Sequence, residues 1–229
     1  PSTDSYRASD ISETAVAMLN DTISQDQNLQ HVKVDVQAAD NPLLYQSLYD
    51  MVILNSVIQY FPNHAYLEKV LRLIGDTIAE NGHALIGDIR SEPLLKAFHT
   101  SVELSRMPGD TSAPLLKAAV DRGIFMDYEL CVNPAFFMNL RDVHPRMAGV
   151  EILYKQSRYD NEMRRYRYDV VIYFDHIPDS WPCDKKLVWG QQSPAELEKM
   201  VSSQMYNSIR LSHVPNTDVS PELYQYQQL

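Results

Sequence analysis

Glycine is scarce. The chain has only 7 glycines in 229 residues, Gly75, Gly82, Gly87, Gly109, Gly123, Gly149 and Gly190, scattered and never in a G-x-G arrangement. No glycine-rich loop that lets backbone approach a nucleotide closely can be drawn from them. Cysteine is scarcer still. Cys131 and Cys183 are too few for a disulfide framework and are not spaced as a metal site, so a reducing, cytoplasmic setting without a metal is the expectation. Basic charge is in deficit: 20 Lys and Arg face 30 Asp and Glu, a formal charge of -10. That balance repels nucleic acid and anionic membrane surfaces and leaves a small neutral or cationic substrate, or a protein partner. Long apolar runs are missing too, none approaching the roughly 20 residues that span a bilayer. The opening "PSTDSYRASD" has neither the basic nor the apolar part of a signal peptide.

What is present suits one core, since 45% of residues are hydrophobic and a chain of this length encloses one sizeable interior. Short apolar runs alternate with helical periods. "HVKVDV" (31–36) and "YDMVIL" (49–54) read as strands, "AYLEKVLRLIGDTIAENG" (65–82) as a helix, and "HALIGD" (83–88) as the next strand, the order that builds a parallel sheet. The helix places Leu67, Val70, Leu71, Ile74 and Ile78 on one face, with Asn81-Gly82 as its left-handed stop. "VEILYK" (150–155) and "RYDVVIYF" (167–174) are joined too closely for a crossover helix and must pair antiparallel. The run "RRYRY" reads as a half-buried edge strand, with Tyr166 and Tyr168 on one face and Arg165 and Arg167 on the other. After a Pro-bounded linker, Ser193 and Glu196 form a capping box for a late amphipathic helix.

In open parallel sheets ligands sit outside the carboxyl ends of the strands, and there this sequence turns polar: Asp10, Asp40, Asn55-Ser56, Asp88 and Arg90. A carboxylate ending an early strand offers two coplanar acceptors to the hydroxyls of a ribose, which makes Asp10 a nucleoside contact; Ser12 just after it caps a helix. Tyr60-Phe61-Pro62 reads either as a hydrophobic plug or as a ligand contact. Asp88 and Arg90 form either an internal ion pair or a substrate clamp. His99, within "LLKAFHTSVEL", is either a core-edge histidine or a base. Glu162, beside Asn161, belongs either to a lid or to a solvated turn.

The segments "YDMVILNSVIQYFP", "GDIRSEPLLKAFHTSVELSR", "VNPAFFMNL", "VEILYKQSRYDNEMRRYRYDVVIY" and "SHVPN", in that order, resemble the methyltransferase domain found within nonribosomal peptide synthetases, over residues 5 to 218. The resemblance implies an α/β, class I methyltransferase-like (Rossmann-like) fold, a mostly parallel sheet ending in an antiparallel hairpin. It departs from the family at the start, where the first strand and its glycine-rich loop have no counterpart, so residues 1–10 are expected to begin at the second strand. The resemblance also implies a methyltransferase core over 1–178 and a linker and helix over 179–229 leading back to a host synthetase. The implied cofactor is S-adenosylmethionine, held by Asp10, Ile11, Ala39, Asp40, Asn55 and Ser56. Gln59, Asp88 and Arg90 are the implied substrate contacts, and His99, Tyr60, Asn55 and Glu162 the implied catalytic set. The implied reaction N-methylates an aminoacyl thioester on a carrier-protein domain beside an adenylation domain; the alternatives are C- or O-methylation, or an inactive structural insert.

Overall fold

The computed structural model describes residues 3–156, 158–177, 183–203 and 205–229. Strand β1 (Tyr6–Asp10) is followed by helix α1 (Glu13–Gln25) and strand β2 (Val32–Val36). The two strands pair in parallel, from Tyr6 opposite Val32 to Asp10 opposite Val36. The Ser12 hydroxyl caps α1, as expected, by accepting from the Ala15 N–H. Strand β3 (Tyr49–Asn55), a 3-10 turn at Ile58–Tyr60, helix α2 (His64–Thr77) and strand β4 (Ile78–Ser91) come next. Helices α3 (Leu95–Arg106) and α4 (Ala113–Phe125) lead to the short β5 (Cys131–Val132) and α5 (Pro134–Phe137). Strand β6 (Met147–Tyr154), helix α6 (Glu162–Tyr166) and strand β7 (Arg167–Phe174) complete the main sheet.

That sheet runs β3-β4-β7-β6, with β5 beside the end of β4. β3 is parallel to β4, and β7 is antiparallel to both its neighbours, so the expected parallel sheet with an antiparallel finish is present. Among the described residues β1 and β2 pair only with each other and β3 only with β4, so β1, β2 and β3 each have one unpaired edge.

Three local expectations are corrected. β7 is an interior strand and not an edge: Tyr168, Val170, Ile172 and Phe174 are buried in strict alternation, because β4 and β6 flank it on both sides. Tyr166 does not share a strand face with Tyr168. The Asn161 side chain caps α6, which turns Tyr166 toward Phe98, ring centroids 5.5 Å apart. The third concerns α2, which buries Leu67, Val70, Leu71 and Ile74 completely but stops at Thr77, so that Ile78 starts β4. Asn81 does take a left-handed φ of 58°, but inside β4, where pairing jumps from Tyr49–Ile78 to Met51–His83. The early stop is held by Arg146, whose guanidinium donates to the carbonyls of Gly75, Ile78 and Ala79 and to both oxygens of Asp175.

Strands β8 (Lys185–Val188) and β9 (Ile209–Ser212) pair in parallel across helix α7 (Pro194–Ser202). α7 carries the expected capping box of Ser193 and Glu196. Helix α8 (Ser220–Gln228) packs on α3, with the ammonium groups of Lys96 and Lys117 each 5.1 Å from the Tyr226 ring centroid. The expected boundary between residues 178 and 179 lies outside the described residues.

Arg146 serves five acceptor atoms on four residues, so Arg146→Ala should lower unfolding free energy by about 1–3 kcal/mol, read by urea denaturation. Its hydrogen bonds hold the Asp175 carboxyl down at about 2. A lowered folded value adds stability above the ordinary carboxylate range and loses it as pH falls through the folded value. The stability gap between the natural chain and Asp175→Asn should therefore be full near neutrality and close between about pH 4 and pH 2; a gap unchanged at pH 2 refutes the pairing.

Candidate active site

The end of β3 lies beside the bulge of β4, Asn55 opposite Gly87. A side chain at 87 would collide with the Asn55 amide, so Gly87 makes room for it. The next residues on each strand, Ser56 and Asp88, both take left-handed backbone, φ 56° and 61°, a conformation that costs a residue with a Cβ roughly 1–2 kcal/mol and must be held by its surroundings. The Ser56 N–H donates to the Gly87 carbonyl (3.2 Å) and its hydroxyl donates to the Asp88 carboxylate. The Asp88 N–H donates to Asp169 (2.8 Å), and Lys155 bridges Asp88 and Asp169 at 2.5 and 2.8 Å. Burial pushes the Asp88 carboxyl up, but hydrogen bonds from Lys155 and Ser56 outweigh it and hold it below the ordinary range.

Gln59 is buried beneath this corner. Its amide N–H donates to the Ser56 carbonyl (2.9 Å), while its side-chain oxygen is buried without a hydrogen-bond partner. Phe61 joins the core and Tyr60 is 71% exposed, which divides the Tyr-Phe pair between plug and surface.

The same strand then reaches a cavity of about 440 Å³ beside α3, the end of α4 and α6. Arg90, on its wall, is buried and does not pair with Asp88. It grips both oxygens of Asp127 at 2.7 and 2.6 Å, touches Glu129 at 3.2 Å and lies 5.3 Å from the Phe98 ring centroid. The internal Asp88–Arg90 pair is thereby corrected: β4 bulges between Ile86 and Ile89, and each charge finds its own partner. His99 Nε2 is 2.9 Å from Asp127 Oδ2. Burial raises the Asp127 carboxyl, yet Arg90 and then His99 bring it down to about 2. Glu162 also lines the cavity and accepts from Arg167 at 3.1 Å. Burial pushes the Cys131 thiol up to about 11, leaving it protonated and unreactive near neutrality. The two regions are tied together, because the Leu130 N–H at the end of the cavity loop donates to the Gln59 carbonyl (2.8 Å).

The other expected contacts stand apart. Asp10 ends β1, exposed; one carboxylate oxygen accepts from the Ser12 N–H at 2.7 Å, and the other has no partner among the described residues. Ile11 beside it is 75% exposed. The Ala39 carbonyl accepts from the Tyr45 hydroxyl (2.7 Å), and Asp40 spends one oxygen on the Tyr66 hydroxyl (2.8 Å) and the other on Lys69 (2.6 Å). Sequence reasoning missed Lys155, Asp169, Asp127 and Glu129. Asp169 had a signal, an acid inside the alternating apolar strand "RYDVVIYF"; Asp127 and Glu129 had none, since "MDYEL" reads as an ordinary loop.

No family model matches the chain. Over 191 residues it is 38% identical to a probable non-canonical nonribosomal peptide synthetase, CymA, of Salinispora arenicola, covering 82% of this chain and 2% of that protein. Against chondramide synthase cmdD of Chondromyces crocatus it is 29% identical over 97% of this chain and 6% of that one, and against nonribosomal peptide synthetase agiA of Aspergillus flavus 31% over 90% and 3%. The chain is related in sequence to nonribosomal peptide synthetases, and its fold is α/β with a parallel β3–β4 pair and an antiparallel β7. It spans only 2–6% of the length of these relatives. In backbone it is similar to the structure of PKMT2 from Rickettsia typhi, TM-score 0.51 at 10% identity over 76% of this chain and 45% of that one. It is similar also to a possible exported protein of Bordetella parapertussis, TM-score 0.50 at 13% identity over 75% and 54%. Among the described residues no helix is long and apolar enough to cross a membrane.

Removing one member of a buried ion pair strands the other. Asp127→Ala should cost about 2–3 kcal/mol, with Glu129 left as partial partner to Arg90, and the double variant Arg90→Met, Asp127→Leu should recover part of that loss. Denaturant unfolding of the three proteins decides it: a double variant less stable than Asp127→Ala contradicts the stranded-charge account.

Proposed function

We propose that the chain transfers the methyl group of S-adenosylmethionine to the α-amino nitrogen of an aminoacyl thioester tethered to a carrier-protein domain, beside an adenylation domain of one cytoplasmic synthetase. The observation that carries the reading is the corner where the end of β3 and the bulge of β4, with Asn55, Ser56 and Gln59, adjoin the 440 Å³ cavity. The kinship with nonribosomal peptide synthetases and the fold support it.

The residues fit this cofactor in part. The second carboxylate oxygen of Asp10 suits a ribose hydroxyl, and the unpartnered buried oxygen of Gln59 suits a donor at this corner. Asp40, with both oxygens engaged, has only its backbone to offer. The described residues supply no glycine-rich turn. A bound S-adenosylmethionine supplies an already activated methyl group. The protein is left to bind, orient and exclude water, holding the amine about 3–3.5 Å from the methyl. An α-amino group titrates near ~8 in a model peptide, and a cavity that disfavours its cation needs only a modest base. His99, Tyr60, Asn55 and Glu162 are the proposed catalytic set, and Gln59, Asp88 and Arg90 the acceptor contacts. Asp88 and Arg90 act through the backbone and loops they hold, since their charges are already paired. We place the methyltransferase core at 1–178 and the return to the host synthetase at 179–229.

The reaction is tested by supplying labelled S-adenosylmethionine and an aminoacyl-loaded carrier domain, then locating the label by fragmentation of the product. Label on the α-nitrogen is expected; label on carbon or oxygen, or cofactor and acceptor binding without transfer, overturns N-methylation. Calorimetric titration of Asp10→Ala should show cofactor affinity weakened by about 1.5–3 kcal/mol, the scale of a hydrogen bond to a charged group, with folding unchanged. Equal affinity would return Asp10 to its turn beside the α1 cap.

A further inference from the structure

We infer that His99 takes the proton of the acceptor amine on Nδ1, with Asp127 and Gly123 as its positioning residues. This rests on the methyl-transfer reading above.

The Asp127 carboxylate only accepts hydrogen bonds, and it sits 2.9 Å from His99 Nε2. Nε2 therefore carries a proton, and the lone pair of the neutral ring belongs to Nδ1. Arg90 holds the carboxylate by both oxygens, so neither partner of His99 is free to swing. Nδ1 lies over Gly123 of α4. A Cβ there would stand 2.7 Å from Nδ1, so glycine is what keeps the space beside this nitrogen free of a side chain. His99 and Gly123 both line the cavity.

The carboxylates and the thiol facing that space are committed elsewhere. Asp127 and Glu129 are on Arg90, Glu162 is on Arg167, and Cys131 stays a thiol. The proton passes from the ammonium to Nδ1, giving a free amine and an imidazolium whose second N–H remains on Asp127. The amine lone pair then forms the N–C bond as the C–S bond breaks and its electron pair goes to sulfur, leaving a neutral thioether. The imidazolium returns its proton to water when product leaves.

Two measurements on the full chain test the assignment. Long-range proton–nitrogen NMR of the ¹⁵N-histidine-labelled natural protein should show the neutral His99 ring protonated at Nε2; a ring protonated at Nδ1 overturns the inference whatever the chain's activity. His99→Gln keeps an amide N–H for Asp127 but has no basic nitrogen. It should retain the thermal midpoint, the cofactor affinity and the KM for the loaded carrier domain while turnover falls about 10- to 100-fold, at or below the usual range for a lost general base because water can also take an amine proton. Full turnover in His99→Gln would leave His99 a structural residue and overturn the inference. A natural chain that binds both substrates without transferring methyl overturns the methyl-transfer reading, and the NMR result still decides the ring.

Discussion

Strand β4 carries two charges, Asp88 and Arg90, into the middle of the molecule, and each must be neutralised where it stands. Both are under a tenth exposed, and an unpaired buried charge costs several kcal/mol. Asp88 draws in Lys155 from the end of β6 and, through its backbone, Asp169 of β7. Arg90 draws in Asp127 and Glu129 from the loop after α4. The two corners of the candidate site are thus consequences of one strand's charges. Their rigidity follows, because no member can move without exposing another.

That constraint explains why left-handed backbone survives at the end of β3 and the neighbouring bulge of β4. Ser56 and Asp88 lock each other through hydroxyl and carboxylate while Gly87 admits the Asn55 amide. Strain of this kind persists where surroundings over-determine it, and the cluster of Lys155 and Asp169 provides the excess. The other side of the sheet is different. Met51 and Ile53 on β3, in register with His83 and Leu85 on β4, are 53% and 46% exposed, so only one face of β3 is covered.

Much of the architecture was legible because it rests on short-range patterns. β3, β6 and β7 follow their apolar runs, and Ser12 and Ser193 cap helices by their own side chains. The failures come from long-range partners. The α2 stop at Thr77 depends on Arg146, 67 to 71 residues away from the carbonyls it serves, and no local pattern shows it. "RRYRY" looked like an edge because its charges alternate; the arginines are in fact satisfied by Glu162, Asp218 and Glu222. Asp88 and Arg90, two apart in sequence, read either as an ion pair or as a substrate clamp, and the bulge in β4 sends them to different partners. His99 was visible as a candidate, but its meaning was not, since Asp127 lies 28 residues on.

The last consequence concerns α6, which packs on α3 through Tyr166 and Phe98 and forms part of the cavity wall. Its Arg164 and Arg165 are held by Asp218 and Glu222 at the start of α8, and α8 itself lies on α3. The cavity wall therefore depends on the far end of the chain, joined by ion pairs that are partly open to solvent and individually weak. Glu162, Tyr166 and Arg167, which line the cavity, all ride on this helix or its exit. The charged corner on β4 is thus held from within the sheet, and the neighbouring cavity wall is held from α8.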